Sequence, residues 1–197
     1  MPEPLLILAS ASPRRAHFLK LLNIPFSIVS PNVDEQILKG EAPRDLVARL
    51  AQMKAAYVAK DYPDKVVIAA DTVVALGSRI FGKPKDRQDA FLMIKELQGK
   101  THQVYTGVTI IRGAGYKNFT ECTYVTFAPL TDEFIRAYVD TGESDDKSGS
   151  YAVQGTASLF VTRVEGSVSS VVGLPICQVR EALADFGITP RTLKEAI

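Results

Sequence analysis

The sequence predicts a three-layer α/β protein built on a mixed β-sheet, and three observations carry that prediction. Strand-like and helix-like segments alternate along most of the chain, the pattern of a sheet flanked by helices. Some strand-like segments follow one another directly, which brings antiparallel pairs into the sheet. The most strand-like segment, KVVIAADTVVAL at 65–76, is apolar on both faces around one acid. Such two-sided apolarity marks a central strand covered by helices.

Taken in order, Leu5 to Ala9 reads as a short buried strand, and SPRRAHFLKLLNI reads as a helix. Ser12 can cap that helix, and Pro13 suits its first turn, where a missing N–H costs nothing. FSIVSP is a second strand, and a long helix is expected over Pro43 to Lys60. After the central strand, GSRIFGKP turns the chain back. Asp86 then caps a helix that ends near Gly99, with Asp89 three residues on in place of the usual Glu. HQVYTGVTIIRG, FTECTYVTFAPL and SLFVTRVEG are further strands, the first two meeting through GAGYKN. TDEFIRAYVDTG is a helix capped by Thr131, and LPICQVREALADFG is another, with Pro175 in its first turn and Gly187 at its end.

Bulk properties limit the function. Of 197 residues, 46% are hydrophobic and 23% charged, the balance of an ordinary globular chain, and one domain over 1–197 is expected. A formal net charge of +1 gives no global reason to bind nucleic acid or a membrane surface, so any anion affinity must be local. Cys122 and Cys177 have neither zinc-site spacing nor a disulfide framework, and two histidines, His17 and His102, exclude a multi-histidine metal cluster. The start MPEPLLILAS lacks the basic residue and long apolar core of a secretory signal, and no stretch reaches the roughly 18 apolar residues of a membrane span. A cytoplasmic protein is expected.

Several residues do not fit a purely structural reading. Lys54 lies near the centre of the stripe Val47, Leu50, Ala51, Val58. Either its ammonium snorkels to water or it enters a cleft and faces a fixed anion. Asp71 interrupts the central strand, where a carboxylate needs a partner, a metal or a bend. It can bind a divalent cation, activate water, or do both. Asp34 and Glu35 follow a predicted strand; they suit a solvated loop, or with Asp71 they supply oxygen ligands for Mg²⁺ or Mn²⁺. Lys83 sits in FGKP, just after the strand that carries Asp71. SGSYAVQG at 148–155 combines small residues with Gln154, whose amide offers both a donor and an acceptor to a base edge. At LASASPRR, a helix start adds free N–H groups, Arg14 and Arg15 add forked donors, and Ser10 and Ser12 add hydroxyls. The four cations Arg14, Arg15, Lys54 and Lys83 would be balanced by a polyphosphate and a divalent metal.

The motifs ILASASPRR, VDE, RLAQMKA, AADTVV, GKP, YTGV, SGSYAVQG and VVGLP, in that order, span nearly the whole chain. With them the sequence resembles the Maf family of nucleoside triphosphate pyrophosphatases. The resemblance implies an elongated α/β fold, two lobes with a central cleft, similar to inosine triphosphate pyrophosphatases. It also implies hydrolysis of a nucleotide to monophosphate and diphosphate with a divalent metal, Mg²⁺ or Mn²⁺. Arg14 directly after SP, ADT in place of SDQ, and YAVQG in place of a phenylalanine and SEG resemble the branch acting on dTTP and UTP. The runner-up substrate is 7-methyl-GTP, and a nucleotide-sensing module in cell division is the non-enzymatic alternative. On this reading Asp71 is the general base and holds metal with Glu35. Ser10, Arg14, Arg15, Lys54 and Lys83 face the phosphates, with Arg14 also near the base, and Thr72 and Gln154 choose the base. A homodimer suits the family, although no apolar stripe marks one.

Overall fold

The computed structural model describes residues 5–190. β1 (Leu6–Leu8) and β2 (Phe26–Ile28) pair in parallel, and β3 (Val66–Leu76) joins the other side of β1, also in parallel. β4 (Arg79–Phe81) turns back antiparallel onto the end of β3. β5 (Thr101–Arg112), β6 (Gly115–Phe127) and β7 (Val161–Glu165) complete the sheet as antiparallel strands, in the order β2-β1-β3-β5-β6-β7. The predicted mixed sheet is therefore present. One connection differs from expectation. β5 and β6 pair up to Arg112 and Gly115, so their turn is Gly113–Ala114 rather than GAGYKN. Gly113 has φ +54, which glycine alone adopts without strain and which suits a two-residue hairpin.

Helices cover both faces. On one side, α1 (Pro13–Lys20) packs Ala16, Phe18 and Leu19 on Leu6, Leu8, Ile68 and Ala70. The Ser12 hydroxyl caps it by accepting from the Arg15 N–H, and the helix is shorter than predicted, ending in a turn at Leu21–Asn23. On the other side, α2 (Pro43–Ala59) lays its stripe against Ile7, Val67, Ala69 and Val73. α2 approaches β5 so closely that a Cβ on Gly107 would run into the Val47 carbonyl. α3 (Arg87–Leu97) starts at the predicted cap Asp86, and α4 (Asp132–Asp140) at Thr131. These two form a second core with Val74, Phe81, Val104, Phe127 and Tyr151. α5 (Val168–Val172), not anticipated as a helix, precedes α6 (Ile176–Ala184), for which Pro175 is the cap rather than a first-turn residue. Among the described residues no helix is long and apolar enough to cross a membrane, and both cysteines are free thiols.

The two cores are served by different halves of β3. Its first half pairs with β1 up to Ile68, and its last residues pair with β4 from Val74 onward. Between those partners the β1-side edge of β3 is open, and Asp71 and Thr72 lie there. A cleft between two packed lobes follows from that change of partner.

Candidate active site

A cleft of about 700 Å³ opens at this edge. It is lined by the nine residues to which the family resemblance gave a role: Ser10, Arg14, Arg15, Glu35, Lys54, Asp71, Thr72, Lys83 and Gln154. Asp34 is not among the lining residues; its Oδ1 accepts from the Gln36 N–H within the loop. Five cationic side chains (the four predicted and Lys147) face three acids (Glu35, Asp71 and Asp146). The excess of positive charge is local, in a chain that is nearly neutral, and it suits a polyanion.

At the centre, Lys54 donates to Oδ1 of Asp71 at 2.6 Å and pairs with Oε2 of Glu35 at 2.9 Å. The side chains of Lys54 and Asp71 are 8% and 9% exposed, and that of Glu35 is 55% exposed. Neighbouring odd-numbered positions of β3, Ala69 and Val73, point to α2, which explains why Asp71 meets a lysine from the middle of its apolar stripe. The snorkelling alternative for Lys54 is thereby replaced by a buried ion pair. A buried charge is tolerated only when paired, so these two residues fix one another's rotamers.

Thr72 faces the opposite way and belongs to a second network. Arg15 donates through Nε to the Gly173 carbonyl at 3.0 Å, through Nη1 to the Ser10 hydroxyl at 3.2 Å, and through Nη2 to the Thr72 hydroxyl at 3.4 Å. The Thr106 hydroxyl donates to the Ser170 carbonyl at 2.8 Å, so in its 2.9 Å contact with Thr72 it accepts. The only proton on Thr72 Oγ1 is therefore committed to Thr106. All three partners of Arg15 are neutral. Burial lowers the Arg15 pKa, with the charge of Asp71 opposing, yet an arginine keeps its charge and leaves an anion-seeking guanidinium in the cleft wall.

The rim is built from the first turn of α1 and from loops. Arg14 Nη1 pairs with Asp146 at 2.9 Å, and Lys147 pairs with the same carboxylate at 2.6 Å. The hydrogen bond from Lys147 and then that from Arg14 pull Asp146 down to about 2. Lys83 and Gln154 are exposed, and Lys83 forms no ion pair among the described residues. Ser148 donates to the Thr72 carbonyl at 3.0 Å, tying this loop to β3. Tyr151 also lines the cleft, its hydroxyl 2.9 Å from His102 Nε2. Burial brings His102 down to about 4 and pushes the Tyr151 phenol up, so both are neutral near pH 7.

Among the described residues no group of three or more His, Cys, Asp or Glu side chains could hold a metal ion. The pair Asp71 and Glu35 still fits Mg²⁺ or Mn²⁺. Such ions take one or two carboxylates and complete their shell with water and substrate phosphates. The contacts of Lys54 run to Oδ1 of Asp71 and Oε2 of Glu35.

The description of the matching family is Maf-like protein, and the match covers residues 5–186. The chain belongs to the Maf family. Among curated Maf relatives, it is 46% identical to a dTTP/UTP pyrophosphatase of Bacillus cytotoxicus, covering 91% of this chain and 94% of that one. It is 44% identical to a protein of the same name from Symbiobacterium thermophilum, covering 92% and 94%. It is 48% identical to another from Bacillus cereus, covering 93% and 96%. A solved structure of the Ham1 protein of Staphylococcus aureus is similar at a TM-score of 0.45 and 15% identity, over 62% of this chain and 71% of that one.

Four contributors to the cleft network of this Maf protein have no signal in the sequence that marks their role: Thr106, Asp146, Lys147 and Gly173. Asp146 and Lys147 lie in DDKSGSY, a run that looks like any solvated charged loop until the fold sets it opposite Arg14. Thr106 and Gly173 act through one oxygen each, which residue type does not reveal.

Proposed function

We propose that this Maf protein hydrolyses dTTP and UTP, and related modified pyrimidine nucleotides, to the nucleoside monophosphate and diphosphate. The observation that carries the proposal is the buried Asp71 carboxylate, fixed by Lys54 inside a cleft with an excess of cations. The name of the relatives, dTTP/UTP pyrophosphatase, at 44–48% identity over more than nine-tenths of the chain, supports the same substrates. A module that only sensed nucleotides would need the cations but no centrally placed acid.

In the mechanism, water attacks the α-phosphorus, and its proton passes to the Asp71 carboxylate. The bond from the α-phosphorus to the bridging oxygen breaks, and diphosphate leaves with that electron pair. Asp71 and Glu35 would hold a divalent cation, which when bound neutralises phosphate charge and polarises the water. Arg15 and Lys83 contact the triphosphate and offset the charge that develops on the leaving diphosphate. Lys54, at 2.6 Å from its Oδ1, holds the Asp71 carboxylate in place. Little covalent chemistry is left to the protein, so positioning and electrostatics supply most of the rate. Arg14 and Gln154 meet the nucleoside end. Thr72, its proton already committed to Thr106, accepts from Arg15 and so helps to set that guanidinium on the triphosphate. Free thiols and a nucleotide substrate suit a cytoplasmic house-cleaning role.

Diphosphate release from dTTP, UTP, GTP and 7-methyl-GTP, measured with Mg²⁺ and with Mn²⁺, tests this reading. Fastest turnover of dTTP and UTP is expected. No release from either pyrimidine nucleotide, or a clear preference for 7-methyl-GTP, would overturn it.

A further inference from the structure

Gln154 is exposed and lies in a tight turn, closed by the Gly155 N–H on the Ala152 carbonyl at 2.9 Å, that leads into a 3₁₀ turn at Thr156–Leu159, so where its amide stands depends on what anchors that turn. The structure supplies a holder in Glu143, just beyond the end of α4. Its Oε1 accepts from the Thr156 N–H at 2.8 Å and its Oε2 from the Ala157 N–H at 3.2 Å. The carboxylate thus grips the backbone immediately after Gln154. On the other side of Gln154, the Ala152 N–H donates to the Tyr138 hydroxyl at 3.3 Å. Burial, and after it the charge of Glu143, push the Tyr138 phenol up, so that hydroxyl stays protonated.

Gly155 confirms how close this grip is. Its φ of −119 is not left-handed, so the glycine here is not one that a positive φ demands. A Cβ at this position would instead coincide with the Glu143 carboxylate oxygen. An alanine here would push the Glu143 carboxylate off its two N–H partners. The same turn is anchored to the other rim residue: Lys147 donates to the Glu143 carbonyl at 2.7 Å and to Asp146, which pairs with Arg14.

We infer that Glu143 is a positioning residue for base selection, acting through the backbone of residues 155–157 to fix Gln154 in the cleft. The inference rests on the proposed pyrimidine nucleotide pyrophosphatase activity. Glu143 does not line the cleft; its carboxylate decides where the Gln154 amide stands, and the hydrogen bonds and ion pairs of Arg15 and Lys54 run to other groups.

Glu143→Gln keeps the shape but replaces one acceptor oxygen with a donor that faces a backbone N–H. Diphosphate release from dTTP, UTP, GTP and 7-methyl-GTP is measured for wild type, Glu143→Gln, Glu143→Ala, Gly155→Ala and the Glu143→Ala/Gly155→Ala double variant. Thermal melting confirms that each is folded. For Glu143→Gln, KM for dTTP and UTP is expected to rise about tenfold with kcat within about threefold, the scale of one lost charge-assisted hydrogen bond. Preference for the pyrimidine nucleotides over GTP falls with it. Gly155→Ala alone has the same effect, and in the Glu143→Ala background it adds little, because the carboxylate it collides with is gone.

Folded variants with wild-type preference would overturn the role of Glu143, as would an equal loss on all four substrates or full additivity of the two alanine substitutions. A wild type inactive on dTTP and UTP would instead overturn the functional reading, and this inference with it.

Discussion

The floor and the rim of the cleft solve the same electrostatic problem in opposite ways. On the floor, Lys54 and Asp71 come from regular elements, α2 and β3, and are almost fully buried. On the rim, Arg14 and Asp146 are 34% and 62% exposed, and Asp146 comes from a turn. A buried pair is held rigidly, since either partner alone would be an uncompensated charge in a poorly solvating interior. An exposed pair contributes about 0–1 kcal/mol and can be exchanged for another anion. The difference separates two tasks. Chemistry needs a carboxylate that does not move, and it is built into the floor. Accepting, choosing and releasing a charged nucleotide needs contacts that can be exchanged, and those are on the rim.

The sharpest way to break this division is Asp71→Asn, which keeps the shape and removes the base. Diphosphate release is expected to fall at least about 100-fold, the low end for general-base catalysis, with KM for dTTP little changed. Near-wild-type turnover would remove Asp71 from the chemistry. Lys54→Ala comes next and touches stability as well as rate. It leaves Asp71 buried without its partner, so a urea melt should show a loss of about 3 kcal/mol, alongside a lower kcat and a higher KM. If stability is unchanged, Lys54 and Asp71 are not coupled in the way their 2.6 Å contact indicates.

Thr72 stands on the boundary between the two regions. Its side chain lies on the opposite side of β3 from Asp71, and its hydroxyl links Arg15 to Thr106. Thr72→Val removes that link, leaving Thr106 Oγ1 without its donor. A stability loss of about 1 kcal/mol is expected, with KM for dTTP raised by a few-fold and kcat nearly kept. A large kcat loss would mean that Thr72 belongs to the floor, in contact with the reacting atoms.

The floor was legible in the sequence and the rim only half so, for a physical reason. Asp71 and Lys54 each violate a strong rule of their element, a charge in a two-sided apolar strand and a lysine in an apolar helix stripe. Rule-breaking is visible without coordinates. Arg14 and Gln154 were found through LASASPRR and YAVQG, where motif resemblance added to a weak local signal. Asp146, Lys147 and Glu143 break no rule, because charged residues belong in turns. Their roles exist only after the fold brings residue 146 to residue 14, and residue 143 to residue 156. α5 was missed for a related reason. It has five residues, VSSVV, too short for a helical period to be read.

The smallest expected effect is at the rim pair itself. Asp146 competes with the bound nucleotide for Arg14 and Lys147, so Asp146→Asn should lower KM for dTTP, by no more than about fivefold given the worth of an exposed pair. The same substitution has a signature in acid. The folded-state pKa of Asp146 is depressed to about 2 from an ordinary 3.8, so its contribution to stability is complete above pH 3.8 and is lost as pH falls toward 2. Urea melts of the wild type across that interval should therefore weaken more steeply than those of Asp146→Asn, and added salt should shrink the difference. A raised KM in Asp146→Asn would show that Asp146 orients Arg14 for the nucleotide instead of competing with it, and the rim would then share the fixed character of the floor.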